Sequence, residues 1–152
     1  MPIREAHFFE AEVLSKLAFE SKAYWDYSSE FMALCRAELN VSTSQLNSNS
    51  TAYSVCEKSG LILGFYAIER ITKTEAELIA LFVLPKFIGT GIGKQLMQHA
   101  IKLAKENHYT SLKIVSDPNA EKFYRAMGAV FMGFESSNSI KSRMLLVFIL
   151  HL

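Results

Sequence analysis

Cysteine is scarce in this chain: there are two, Cys35 and Cys56. They stand far apart, fit no metal-ligand spacing and read as buried, reduced thiols. The four histidines (His7, His99, His108 and His151) are scattered, so no metal site is expected. An excess of charge is also missing, with sixteen basic residues against fifteen acidic ones. That balance gives no footprint for nucleic acid or for an anionic membrane as a partner. No apolar run approaches the roughly 20 residues of a spanning helix, and the first residues lack a signal-peptide pattern. A cytoplasmic protein is expected.

Half of the 152 residues are apolar, enough for one domain over residues 1–152 with a proper core. Residues 3–5 form a short first strand. Apolar residues at Phe9, Val13, Leu14, Leu17 and Ala18 mark a helix from 9 to 19, and residues 21–29 read as a turn. A second helix carries Phe31, Met32, Leu34, Cys35 and Leu39, with Asp26 or Ser28 as its cap. The Ser/Asn-rich residues 42–50 are a loop. Two strands, 52–57 and 61–70, join through Lys58-Ser59-Gly60 as a hairpin. Residues 75–84 are so continuously apolar that they should lie centrally in the sheet, and Pro85 stops them. A helix with Ile92, Leu96, Ala100, Ile101, Leu103 and Ala104 on one side follows, then a buried strand at 111–115. Asp117-Pro118 opens a further helix bearing Phe123, Tyr124 and Met127, which Gly128 ends. Strands at 129–135 and 144–150 finish the chain. The order gives a mixed α/β sheet of about seven strands with about four helices.

The most informative stretch runs Leu81-Phe82-Val83-Leu84-Pro85-Lys86-Phe87-Ile88-Gly89-Thr90-Gly91-Ile92-Gly93-Lys94. A strand enters a loop with glycine at every second position, and a helix follows at once. Consecutive N–H groups can turn toward one centre there, backed by the positive end of the helix dipole, as a phosphate or diphosphate requires. Two familiar loops do not fit. A dinucleotide fingerprint, G-x-G-x-x-G, would need glycine at Lys94 or Leu96. A Walker loop, G-x-x-x-x-G-K-S/T, would need glycine at Ile88 and a hydroxyl at Gln95.

The segment does resemble the cofactor loop of the GNAT superfamily of N-acetyltransferases, Q/R-x-x-G-x-G/A. Here it would be Ile88-Gly89-Thr90-Gly91-Ile92-Gly93. Glu77 to Pro85 resembles that family's fourth strand. Asn119-Ala120-Glu121-Lys122-Phe123-Tyr124-Arg125-Ala126-Met127-Gly128-Ala129 is similar to its second motif, N-x-x-A-x-x-F/L-Y-x-x-x-G-F, shortened between Asn and Ala. The resemblance covers residues 50–136 and implies a mostly antiparallel sheet splayed around a coenzyme A cleft. It implies acetyl-CoA as co-substrate, no metal, and transfer to a primary amine by direct attack in a ternary complex. Ile88 departs from the family's Gln or Arg, which leaves the main-chain donors to carry the diphosphate.

By the same resemblance, the cofactor would lie against Leu81, Phe82, Val83, Ile88, Gly89, Thr90, Gly91, Ile92, Gly93, Lys94, Asn119 and Tyr124, with an oxyanion donor among the N–H groups around Phe82 or Val83. Tyr124 would serve the leaving thiolate: a phenol titrates near about 10 and a thiol near about 8.5, so the phenol stays protonated at neutral pH and can hand over or share its hydrogen. Glu77 would be the general base, with Glu75 its competitor two residues earlier. Trp25, Tyr27 and Ser28 would line the wall for a small-molecule or peptide amine, and Arg143 would meet an acceptor carboxylate or sit on an edge. The alternative is a non-catalytic CoA-binding sensor of the same fold, which Ile88 keeps open. The apolar tail, residues 144–150, is rich for an exposed edge and is expected to pair across a homodimer.

Overall fold

The computed structural model describes residues 2–152. Seven strands form one sheet: β1 (Ile3–Glu5), β2 (Thr51–Lys58), β3 (Leu61–Arg70), β4 (Glu75–Val83), β5 (Ser111–Ser116), β6 (Val130–Ser136) and β7 (Met144–His151). Their order across the sheet is β1-β2-β3-β4-β5-β7-β6. Every neighbouring pair is antiparallel except β4 with β5. The helices are α1 (Ala11–Ala23), α2 (Ser29–Leu39), α3 (Thr43–Leu46), α4 (Ile92–Glu106) and α5 (Glu121–Ala126). The mixed, mostly antiparallel sheet and the central place of β4 are as the sequence predicts.

Each face of the sheet buries its own apolar cluster. On one face, Leu14, Leu17 and Ala18 of α1 and Met32, Cys35 and Leu39 of α2 pack on Val55, Phe65 and Ala67. On the other, Ile92, Leu96, Met97 and Ala100 of α4 meet Tyr66, Ile68, Leu78 and Phe148. Gly64 on β3 permits that second packing. A Cβ there would sit 2.8 Å from the Phe82 carbonyl oxygen and 3.0 Å from the Leu96 side chain. Cys35 and Cys56 are both buried thiols, as expected. Among the described residues, no helix is long and apolar enough to cross a membrane.

Several sequence expectations need correction. The first helix runs on through Ala23, so Ser21 is helical and buried rather than part of a turn. Its buried face is Leu14, Leu17, Ala18 and Ser21, while Phe9 and Val13 are 70% and 52% exposed. Inside residues 42–50 lies α3, started by a capping box in which Ser42 and Gln45 satisfy each other's backbone N–H groups. The tail 144–150 is no edge. β7 lies between β5 and β6: residues 146–151 pair with β5 and residues 144–149 with β6, so its central backbone is already paired on both sides. The edges are β1 and β6, and the argument for edge pairing by the tail falls away.

Candidate active site

The sheet opens where its one parallel pair ends. β4 and β5 are registered from Glu75 opposite Ser111 to Leu78 opposite Ile114, and no further. Beyond that point β4 stays with β3 to Val83, while β5 follows β7 to Ser116. The two strands splay into a V whose inner backbone edges have no strand between them. A bulge on β4 sits at the fork: Ala67 faces Ala80 and Ile68 faces Leu78, which leaves Ile79 unopposed. The extra residue inverts the alternation of side chains. Leu78, Leu81 and Val83 therefore pack on the α4 face, whereas Ile79, Ala80 and Phe82 pack on the α1 face.

The backbone of β4 alternates too. Leu84 N–H donates to Leu63 O on β3 at 2.8 Å. Phe82 N–H then points the same way, and those of Leu81 and Val83 point into the gap. Val83 N–H meets Ser21 Oγ at 3.3 Å. Leu81 N–H has β3 behind it and no strand in front.

A cleft of about 490 Å³ occupies the fork. Glu77, Leu81, Phe82, Tyr124, Trp25 and Arg143 all line it, so six of the residues singled out from the sequence converge there. Tyr124 is only 8% exposed. Its hydroxyl has no hydrogen-bond partner among the described residues, yet no buried side-chain nitrogen or oxygen among them lacks one. The phenolic oxygen therefore opens into the cleft. Burial, helped by Asp117, holds this phenol above its ordinary range, so it stays protonated at neutral pH. Glu77 is half-buried, and burial lifts its carboxyl above the usual carboxylate value. Lys113 opposes that shift, and Glu135 and Glu69 add to it. Glu75 is exposed and does not line the cleft.

The glycine turn lies at the open end of the V. Gly89 and Gly91 have φ of +84° and +92°, a left-handed backbone that L side chains rarely adopt. Gly91 is the N-cap of α4, and the first helical bond is Gln95 N–H to Gly91 O. The N–H groups of Gly89, Gly91, Ile92, Gly93 and Lys94 thus have no acceptor among the described residues. Two expected donors are engaged: Ile88 N–H donates to Pro85 O and Thr90 N–H to Phe87 O, both at 3.3 Å. A Cβ at Gly89 or Gly91 would meet nothing within 4 Å, so the space before the helix is open. Free donors, an open face and a helix N-terminus together fit a diphosphate. One contact ties this turn to the cleft. A Cβ at Gly93 would lie 3.6 Å from the Phe123 ring and 3.8 Å from the Val83 side chain, and Phe123 packs edge-on against Tyr124.

The remaining residues take other positions. Ser28 caps α2, accepting from Phe31 N–H at 3.1 Å. Tyr27 and Asn119 join a polar cluster that bridges the α1–α2 turn, the end of β5 and the start of β7. The Tyr27 hydroxyl donates to Asp117 Oδ2 (2.7 Å) and accepts from Asn119 Nδ2 (2.9 Å) and Arg143 Nη2 (3.0 Å). Burial and the Asp117 bond push that phenol up to about 12. Arg143 also donates to Asp117 Oδ2 at 2.8 Å, and Lys22 Nζ lies 3.5 Å from the same oxygen. Burial alone would raise the Asp117 carboxyl. The Asn119 N–H, Tyr27, Arg143 and Lys22 outweigh it and hold the group below its usual value.

Sequence reasoning missed Ser21, Lys22 and Asp117 as wall residues. The signal was present for Ser21, which continues the spacing Leu14, Leu17, Ala18 by one more turn. Asp117→Ala would leave Arg143 buried without its carboxylate, and a loss of about 2–3 kcal/mol in unfolding free energy is expected. Because the Asp117 shift is downward, this stabilisation is present above about pH 4 and fades as pH falls through the folded-state value. Urea titrations at several pH values measure both; a loss below about 0.5 kcal/mol at pH 7 would show the cluster to be decorative.

Comparison with known proteins identifies the class. The profile of the acetyltransferase (GNAT) family matches residues 14–129, and the chain belongs to that family. An uncharacterized N-acetyltransferase of Methanocaldococcus jannaschii is 35% identical over 98 residues. That match covers 59% of this chain and 41% of the relative, so the chain spans about two fifths of that relative's length. The 5-NmdU N-acetyltransferase of Pseudomonas phage PaMx11 is 26% identical over 132 residues, covering 86% of this chain and 88% of the phage protein. The PaiA N-acetyltransferase of Thermoplasma acidophilum, solved in complex with coenzyme A, has the same fold. It superposes with a TM-score of 0.76 over 99% of this chain and 98% of its own, at 20% identity.

Proposed function

We propose that this protein transfers the acetyl group of acetyl-CoA to a primary amine, with both substrates bound at once. The observation that carries this reading is the continuity of the site. The free N–H groups of the glycine turn lead through Gly93, Val83 and Phe123 to the unpartnered Tyr124 hydroxyl, in the cleft that Glu77 lines. The turn, Gly89 to Lys94, would hold the diphosphate. The inner edge of β4 at Leu81 and Val83 would take the amide groups of the pantetheine arm, as an added strand would be taken. Asn119, Trp25, Tyr27 and Ser28 would border the acceptor side, with Asn119 and Tyr27 acting through the Asp117 cluster. Acetyl-CoA supplies the thioester carbon.

Glu77, with its carboxyl lifted toward neutrality, accepts a proton from the incoming ammonium, directly or through water. Leu81 N–H, facing the gap, can stabilise charge on the carbonyl oxygen. The Tyr124 phenol is less acidic than a thiol, so it stabilises the departing thiolate chiefly by sharing its hydrogen. Cys35 and Cys56 do not line the cleft, and an acyl-cysteine has no place in this scheme. A cytoplasmic location follows from the supply of acetyl-CoA.

The test is release of CoA thiol from acetyl-CoA with a panel of amines. For Glu77, the acid limb of the kcat/KM profile should lie above the usual carboxylate range, because a raised value means activity is lost sooner as pH falls. Glu77→Gln should remove that limb and lower kcat/KM by about 10²-fold. An unchanged profile would take Glu77 out of the reaction. The sensor reading draws on Ile88, which lacks a polar side chain and whose N–H is taken by Pro85; binding of acetyl-CoA without thiol release on any amine would favour it.

A further inference from the structure

Three carboxylates of the cleft form no ion pair among the described residues, although Glu77 has Lys113 as its neighbour across the β4–β5 pair. Glu77 on β4 faces Glu69 on β3 as its direct cross-strand partner, and both line the cleft. Like charges directly opposite on one face of a sheet destabilise it, yet neither forms an ion pair among the described residues. Glu38 of α2 lines the opposite wall and accepts the Ser139 hydroxyl at 2.7 Å, again without a cation.

The positive groups nearby are all engaged elsewhere. Lys22 and Arg143, the two basic residues of the lining, are both held by Asp117. Lys113 pairs with Glu135 at 3.1 Å. The cleft therefore presents a net negative wall, with the Trp25 ring beside it. A metal ion does not answer it, since no group of His, Cys, Asp or Glu among the described residues could hold one. That the cleft takes a ligand is indicated separately by Tyr124, a residue more than nine-tenths buried whose hydroxyl opens into the cleft without a partner among the described residues.

Resting on the acetyltransferase reading, we infer that the acceptor is a small amine carrying at least one further ammonium group. One nitrogen is deprotonated at Glu77, and the others stay charged between Glu69 and Glu38. A monoamine would leave Glu69 and Glu38 without a counter-charge, because its single nitrogen is the one that reacts at Glu77. Linear polyamines and amino sugars share the required chemistry.

The experiment is calorimetric titration of the full chain, saturated with CoA, with spermidine, kanamycin and n-butylamine at low salt. Spermidine or kanamycin is expected to bind about tenfold or more tightly than butylamine. The stronger of the two identifies the source as polyamine or amino sugar. Added NaCl should shrink the advantage, and Glu69→Gln, isosteric at an exposed position, should reduce it to about twofold. Equal affinities for butylamine and the polycations would overturn the inference, as would an advantage that Glu69→Gln leaves intact. Thiol release measured in parallel judges the parent reading separately. If no amine is acetylated, transfer is wrong, and the calorimetric ratio still decides whether the cleft selects polycations.

Discussion

Tyr124→Phe is expected to lower kcat for acetyl transfer by about two to three orders of magnitude while leaving the dissociation constant of acetyl-CoA within about twofold. The split follows from what the hydroxyl does in this structure. It bonds to no group among the described residues, so its removal breaks none of their hydrogen bonds, and the ring stays packed between Phe123 and Phe148. The free N–H groups of the glycine turn are untouched. What disappears is the phenol hydrogen that Tyr124 presents to the cleft. Stopped-flow thiol release and calorimetry measure the two quantities, and thermal unfolding within a degree or two of wild type checks the fold. A variant that turned over normally would reduce Tyr124 to a core residue that happens to touch the cleft.

Gly91→Val should raise the acetyl-CoA dissociation constant about 100-fold, through the backbone rather than by filling the site. No atom lies within 4 Å of the position a Cβ would take, so simple obstruction is not the cause. The cause is the φ of +92° at the N-cap of α4. A β-branched residue pays about 1–3 kcal/mol to hold that conformation, and relaxing it turns the N–H groups of Ile92, Gly93 and Lys94 away from their common centre. Gly91→Ala, less crowded at Cβ, should show a smaller loss of about tenfold. Equal affinity in Gly91→Val and wild type would remove the turn from cofactor binding. Normal folding with lost affinity is expected, because Gly89, Thr90 and Gly91 are exposed and a Cβ at Gly91 meets nothing within 4 Å.

Much of this protein was legible because its elements announce themselves locally. The alternating glycines before an amphipathic helix, the Asp117-Pro118 start of the last helical segment and the apolar run of β4 each depend on a few adjacent residues. Ser28 capping α2 and Gly128 ending α5 with φ of +95° are of the same kind. The failures came where the deciding partner was distant in sequence. Ser21 looked like turn material because it is polar, yet it is buried on a helix, near Val83 N–H. The tail at 144–150 looked like an edge because nothing in its own residues reveals that β6 turns back to cover it.

The sequence alone pointed to a glycine turn able to take a diphosphate, to the order of the seven strands and of every helix but α3, and to a tyrosine in a motif suited to a thiolate. Only the tertiary structure decided how these parts meet. The β4 bulge at Ile79 sends Glu77 and Phe82 to the α1 face and Leu81 and Val83 to the α4 face. The parting of β4 from β5 after Leu78 frees a backbone edge between the turn and Tyr124. The pairing of Glu69 with Glu77, and the capture of Lys22 and Arg143 by Asp117, likewise join residues far apart in the chain. The physical reason is the same throughout: a turn or a cap is settled by neighbours a few bonds away. The charge and shape of a cleft are settled by strand register and by burial, which exist only once the whole sheet has formed.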